Sequence, residues 1–116
     1  HAICDALLGA AALGDIGEHF PDNDPQWKDV SSQVLLGHVL GLVKKRGFRV
    51  NNVDVVVVAQ QPKLGPRKKE MKDKIALLLE VSPGRVNVKA TTTEGLDAIG
   101  RGEAIAAQAA VSLCEV

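Results

Sequence analysis

The sequence predicts one α/β domain in which a sheet packs against helices. Three observations carry this. Two β-favouring segments, "VDVVVVAQ" from Val53 and "VNVKA" from Val86, flank a stretch with helical periodicity. The chain has 116 residues, enough for one compact core and too few for two. Apolar residues form 46% of it and aromatic ones only 3%, so the core is built from Val, Leu, Ile and Ala. A core with so few rings buries less area per residue, and oligomerisation is one way to remove further apolar surface from water.

The elements follow in order. "HAICDALLGAAAL" repeats apolar residues at Ile3, Leu7 and Leu8 and reads as a helix ending near Gly14. "GDIGEHFPDNDPQWKD" mixes Pro, Gly and Asp and reads as a loop. In "SSQVLLGHVLGLVKKRG", Ser31 or Ser32 caps a helix whose stripe is Leu35, Val39, Leu42 and Val43. Lys44, Lys45 and Arg46 sit at the negative end of its dipole, and Gly47 stops it. The consecutive valines of the next segment are stiff at χ1 and favour a pleated backbone; an unbroken apolar run predicts burial on both faces. "PKLGP" ends this strand. A third helix runs from about Pro66 to Glu80 with Met71, Ile75, Leu78 and Leu79 inward, and "SPGR" turns into the second strand. The tail "GEAIAAQAAVSLCEV" favours helix by propensity, while its place after a strand and a long turn permits another strand. No repeat, linker or low-complexity segment divides the chain.

Formal net charge is zero, so no overall field draws the chain to nucleic acid or an acidic membrane. The basic run "PKLGPRKKEMKDK" is interrupted by Glu70 and Asp73 and reads as a solvated helix face. Cys4 and Cys114 match no zinc-ribbon or redox spacing and read as small buried thiols in a reducing compartment. No apolar run reaches the length of a membrane span, and the sequence begins at His1 with no signal peptide.

The chemistry concentrates after the two strands, in "AQQPKLG" and "ATTTEG". Loops at the carboxyl ends of sheet strands are where α/β folds bind ligands. One loop brings Lys63; the other brings Thr91, Thr92, Thr93 and Glu94. Lysine and hydroxyls suit phosphate oxygens, and a carboxylate suits a hard divalent cation. No Walker-type glycine loop is present. Taken singly, these are an ordinary polar turn and a surface lysine. His1 and Asp5, four apart, share a helix face, an arrangement open to a metal ligand with an orienting carboxylate or to two unrelated surface groups. His19 and His38 have no metal spacing with His1. Asp15, Asp22 and Asp24 fit turn caps or sugar hydroxyls equally.

Three collinear blocks resolve these alternatives. "HAICDALLGAAALGDIGEHFPDNDP", "AQQPKLGP" and "VNVKATTTEGL" with "GRGEAIA" together resemble the 2-C-methyl-D-erythritol 2,4-cyclodiphosphate synthase family over nearly the whole chain. The resemblance implies a phosphorus–oxygen lyase of the non-mevalonate isoprenoid (terpenoid) pathway. That enzyme cyclises 4-diphosphocytidyl-2-C-methyl-D-erythritol 2-phosphate and releases CMP. It also implies a homotrimer with active sites between subunits, each subunit a single-layer β-sheet packed against helices on one face, with the tail as a strand. The implied location is bacterial cytoplasm or plastid, with no nucleic-acid or membrane partner.

Site residues carry over individually. His1 matches a zinc-binding histidine. Asp15, Ile16 and Gly17, with Phe20, Pro21, Asp22, Asn23 and Asp24, match the substrate turn and loop. Ala59, Pro62, Lys63, Leu64 and Gly65 fall on the cytidine pocket. Thr91, Thr92 and Thr93 match diphosphate contacts, with Thr92 in the catalytic position of transition-state stabiliser. Glu94 matches the ligand of a second ion, magnesium or manganese, and Ala98 and Arg101 match substrate contacts. The family's Asp-x-His motif and His-Ser-x-x-Asp loop are absent from this chain, which leaves zinc with His1 alone. The resemblance therefore also admits an N-terminally truncated, non-catalytic trimeric module that binds CDP, CMP or an isoprenoid diphosphate.

Overall fold

The computed structural model describes residues His1–Val116. Helix α1 spans Ala2–Ala10, and a short helix α2 spans Ile16–His19. Helix α3 covers Ser32–Lys45 and strand β1 covers Phe48–Val58. Helix α4 (Lys68–Leu79) leads to β2 (Val86–Thr91), and a one-turn helix α5 (Asp97–Gly100) precedes β3 (Ala106–Glu115). The sheet order is β2-β1-β3, with β2 parallel and β3 antiparallel to β1. The tail is thus a strand. Its alanines favour helix locally, but Ala106 to Glu115 pair along all of β1, and this ladder outweighs the propensity.

The local signals act as expected at α3. Ser31 caps it by accepting from the Gln33 N–H at 3.1 Å, and Lys44 and Lys45 occupy its last turn. Helix α1 stops sooner than the alanines suggest: the chain reverses at Ala12, with φ +57°, well before Gly14. The loop after it is more ordered than its composition predicts. Asp15 caps α2 through the Glu18 N–H at 2.9 Å, and Asp24 caps a 3₁₀ turn at Pro25–Trp27 through the Gln26 N–H at 3.0 Å.

One face of the sheet carries the core. Val53 and Val55 are buried there among Cys4, Leu7 and Leu8 of α1 and Leu36, Val39 and Val43 of α3. Val56 and Val58, on the other face, are only half-buried, so the valine run is not sealed on both faces within one chain. That corrects the prediction from the run and agrees with helices on one side. The core is not wholly aliphatic. Phe20 is buried in it and stacks edge-on with the half-buried Trp27 at a centroid distance of 4.7 Å; the exposed His38 stacks on the outer side of Trp27 at 4.9 Å. Cys4 is buried, which pushes its thiol pKa up and makes it inert; Cys114 is only half-buried, and both are unpaired.

Leu8 is fully buried in this cluster. Leu8→Ala is expected to destabilise the fold by about 2–5 kcal/mol, read as a lower midpoint in urea unfolding with the slope unchanged.

The open face is polar near the start of the sheet. Asp54 of β1 accepts from Lys89 Nζ at 2.7 Å and from Asn87 Nδ2 at 3.2 Å, both on β2. The hydrogen bond from Lys89, then that from Asn87, holds its carboxyl below the usual carboxylate range. A carboxylate whose folded pKa is depressed stabilises the fold above its unfolded pKa, near 3.9, and that contribution is lost as pH falls through the lower folded value. The stability gap between the parent and Asp54→Asn is therefore expected at pH 6, should begin to narrow near pH 4, and should close only below the depressed folded value. Denaturant titrations of both proteins across pH 2–7 check this. No helix is long and apolar enough to cross a membrane.

Candidate active site

Strands β1 and β2 run parallel, so their last residues, Val58 and Thr91, are partners at the same edge. The ladder continues one step, with the Ala59 N–H donating to the Thr91 carbonyl at 3.0 Å. The two loops that leave here enclose a cavity of about 380 Å³, lined by residues 59–65, Lys68 and Ala90 to Thr92. This places Ala59, Pro62, Lys63, Leu64 and Gly65 beside Thr91 and Thr92, as the sequence predicted. Lys68 at the start of α4 was missed, because it is hidden in a basic run that reads as solvated surface. Neither Lys63 nor Lys68 has an ion-pair partner, and no carboxylate lines the cavity. A pocket with two free ammonium groups, backbone amides and hydroxyls, and no acid, favours an anion. The positive end of α4 opens beside it.

The threonines are not equivalent. Thr93 Oγ1 spends its one proton on the Leu96 carbonyl at 2.6 Å. Its hydroxyl proton therefore holds the turn. Thr92 Oγ1 instead accepts from the Glu94 N–H at 3.1 Å, leaving its proton free to donate. Thr91 Oγ1 makes one long contact, 3.4 Å, to the Thr92 carbonyl. Glu94, at φ +55°, is exposed, and its carboxylate makes no hydrogen bond or ion pair within the chain. Arg101 is engaged by Glu103 at 3.2 and 3.3 Å, and Ala98 is half-buried in α5; neither lines the cavity.

The remaining predicted residues sit elsewhere. His1, Phe20, Pro21 and Asp22 line a second cavity of about 340 Å³ with Trp27 and Leu35; it shares no residue with the first. Asp15, Ile16 and Gly17 lie at the capped start of α2 and Asn23 and Asp24 at the start of the Pro25–Trp27 turn; none of them lines either cavity. The pairing of His1 with Asp5 fails. Asp5 Oδ1 accepts from the Ile16 N–H at 2.8 Å and so anchors the 15–17 turn, while His1 Nε2 meets Ser32 Oγ at 3.2 Å. His19 Nε2 contacts the Leu13 carbonyl at 2.6 Å, and His38 stacks on Trp27, so both are structural.

No group of three or more His, Cys, Asp or Glu side chains is placed to hold a metal ion. His1 supplies a single nitrogen, which does not make a zinc site. Glu94 differs: one free carboxylate beside an anion pocket suits magnesium or manganese, which take one or two protein carboxylates and fill the rest of their shell from phosphate and water.

The YgbB family model matches residues 1–114. The chain belongs to the YgbB family. The chain is similar to a 2-C-methyl-D-erythritol 2,4-cyclodiphosphate synthase from Syntrophomonas wolfei, 58% identical over 111 residues, a match covering 96% of this chain and 71% of that protein. The bifunctional IspDF of Campylobacter jejuni superposes with a TM-score of 0.95 at 46% identity, covering all of this chain and 31% of that one. A 2C-methyl-D-erythritol-2,4-cyclodiphosphate synthase solved in a CDP-bound form superposes with a TM-score of 0.90 at 38% identity, covering 98% of this chain and 73% of that one.

Proposed function

We propose that this YgbB chain is a 2-C-methyl-D-erythritol 2,4-cyclodiphosphate synthase, a lyase of the non-mevalonate isoprenoid pathway. The observation that carries the proposal is the acid-free cavity at the ends of β1 and β2, where Lys63 and Lys68 face Thr91 and Thr92. The substrate is 4-diphosphocytidyl-2-C-methyl-D-erythritol 2-phosphate. Its 2-phosphate oxygen forms a bond to the β-phosphorus, the bond from that phosphorus to the bridging oxygen breaks, and CMP leaves with the electron pair. No protein nucleophile is needed. Repulsion between the phosphates is the obstacle, and positioning with charge stabilisation overcomes it.

In this reading the 59–65 loop holds the cytidine through backbone groups. Lys63 and Lys68 neutralise the diphosphate, and the free proton of Thr92 meets charge as it develops on the β-phosphate. Glu94 would hold a magnesium or manganese ion, which supplies Lewis-acid charge neutralisation when bound. Thr93 keeps the turn in shape. The CDP-bound relative supports a cytidine nucleotide as ligand. The second cavity, with Phe20, Pro21 and Asp22 beside the Asp15–Gly17 turn, takes the methylerythritol part when a neighbouring copy brings it to the first.

A homotrimer is part of the proposal. β3 is an edge strand whose first residues are exposed, and Ile105, directly before it, is 59% exposed. Such an edge is best buried against another copy. Residues 1–116 act as one domain, a reading supported by a continuous cluster of 14 buried apolar residues that joins α1, α3, β1 and α4.

Incubation with the diphosphocytidyl substrate and magnesium tests the function, with CMP and the cyclic diphosphate expected in equal amounts. The second reading is a module that binds nucleotide without catalysis, resting on the same acid-free cavity. It predicts calorimetric binding of CDP with no CMP released, and absence of both signals removes either reading.

A further inference from the structure

One polar side chain crosses between the two loops of the cavity. The Gly95 N–H donates to Gln60 Oε1 at 3.1 Å, across 35 positions of sequence. The other hydrogen bonds that shape the 92–96 turn are local: Glu94 N–H to Thr92 Oγ1, Leu96 N–H to the Thr93 carbonyl at 3.1 Å, and Thr93 Oγ1 to the Leu96 carbonyl. A further bond, from the Gly100 N–H to the Leu96 carbonyl at 2.9 Å, ties the turn to α5, but none of these bonds links it to the 59–65 loop. Both Glu94 and Gly95 have positive φ, +55° and +80°, so the turn depends on outside contacts to keep its place. Gln60 is half-buried, lines the nucleotide cavity and directly follows the last residue of the β1 ladder, so it is itself rigidly placed.

We infer that Gln60 is a positioning residue that holds the carboxylate-bearing 92–95 turn in register with the nucleotide-binding 59–65 loop. It does so through its Oε1 and not by touching the reacting atoms. The inference rests on the proposed function for its kinetic consequence, but the contact itself can be tested separately.

Two variants separate the roles. Gln60→Leu keeps the volume and removes the acceptor; Gln60→Glu keeps an acceptor oxygen for the Gly95 N–H. Amide exchange at Gly95 is expected to speed up by about tenfold or more in the first and to stay near the parent value in the second, since an exposed turn amide owes its protection to its one partner. Manganese affinity, measured by calorimetry in the presence of saturating CDP, should weaken several-fold in Gln60→Leu and persist in Gln60→Glu. In turnover, Gln60→Leu is expected to lower kcat about tenfold or more with substrate KM changed less than threefold, because misplacement by about an ångström can cost up to a hundredfold. A Gln60→Leu protein with parent-like Gly95 exchange, manganese affinity or kcat overturns the inference, as does a Gln60→Glu protein whose Gly95 exchange matches Gln60→Leu. If the parent releases no CMP, the proposed function fails, while exchange and manganese binding still decide whether Gln60 holds the turn.

Discussion

Gly100→Ala is expected to abolish most turnover while leaving the sheet and helices intact. A Cβ built at Gly100 would lie 2.1 Å from the Gly95 carbonyl carbon and 2.5 Å from its oxygen. Both are backbone atoms, so no side chain can rotate away; the 92–96 turn itself must move. Gly100 ends α5, whose N–H groups bond back to Leu96 and Asp97, so the helix is tied to the turn it would displace. Overpacking of this kind costs about 1–3 kcal/mol in stability. The functional loss is larger, because Thr92 and Glu94 sit on the displaced segment: about a hundredfold in kcat follows from a shift near an ångström. Gly41→Ala is the matched control. Gly41 lies on the exposed side of α3 with nothing within 4 Å of an added Cβ. It should raise thermal stability slightly, by about 0.5–1 kcal/mol, and leave turnover unchanged. Steady-state CMP release and thermal melts on both variants check the pair. A Gly100→Ala protein with parent-like kcat would show that the turn can shift without consequence.

Glu94→Gln carries the second large effect. Its carboxylate is exposed and makes no ion pair, so the substitution removes charge without leaving a stranded partner. Folding stability is expected to stay within about 0.5 kcal/mol of the parent. Turnover should fall by about 10²–10³ at saturating substrate, the size seen when one group that stabilises developing charge is removed. The magnesium concentration for half-maximal rate should rise, and excess magnesium should recover part of the loss. A rate that is flat across a magnesium titration in both proteins would contradict the role of Glu94. Because the substitution leaves the 59–65 loop, the proposed cytidine pocket, untouched, binding of cytidine itself should persist, which distinguishes a lost ion from a lost pocket.

The positions of these residues were legible in the chain to different degrees. The Lys63 and Thr92 loops could be paired from the sequence because each follows a β-rich segment, and parallel strands bring their exits to one edge. Lys68 could not be found that way: a lysine within "RKKEMKDK" carries the same local signal whether it faces water or a ligand. Gln60 was hidden for a related reason, since its partner is a backbone amide and leaves no mark in composition. The expected partnership of His1 and Asp5 followed helical spacing, which brings two side chains to one face but does not decide what either one bonds. Asp5 found an N–H of the next element instead.

By itself the sequence determined the three principal helices and the first two strands, because apolar period, caps and turn residues act over a few positions and are written locally. Tertiary structure decided that the valine run is sealed on one face only and which threonine keeps its proton, and it made the alanine-rich tail the strand that the family resemblance implied against local propensity. These depend on which distant backbone edge, side chain or amide arrives opposite. Such long-range pairing is settled by the packing of the whole chain and not by any residue's own preference.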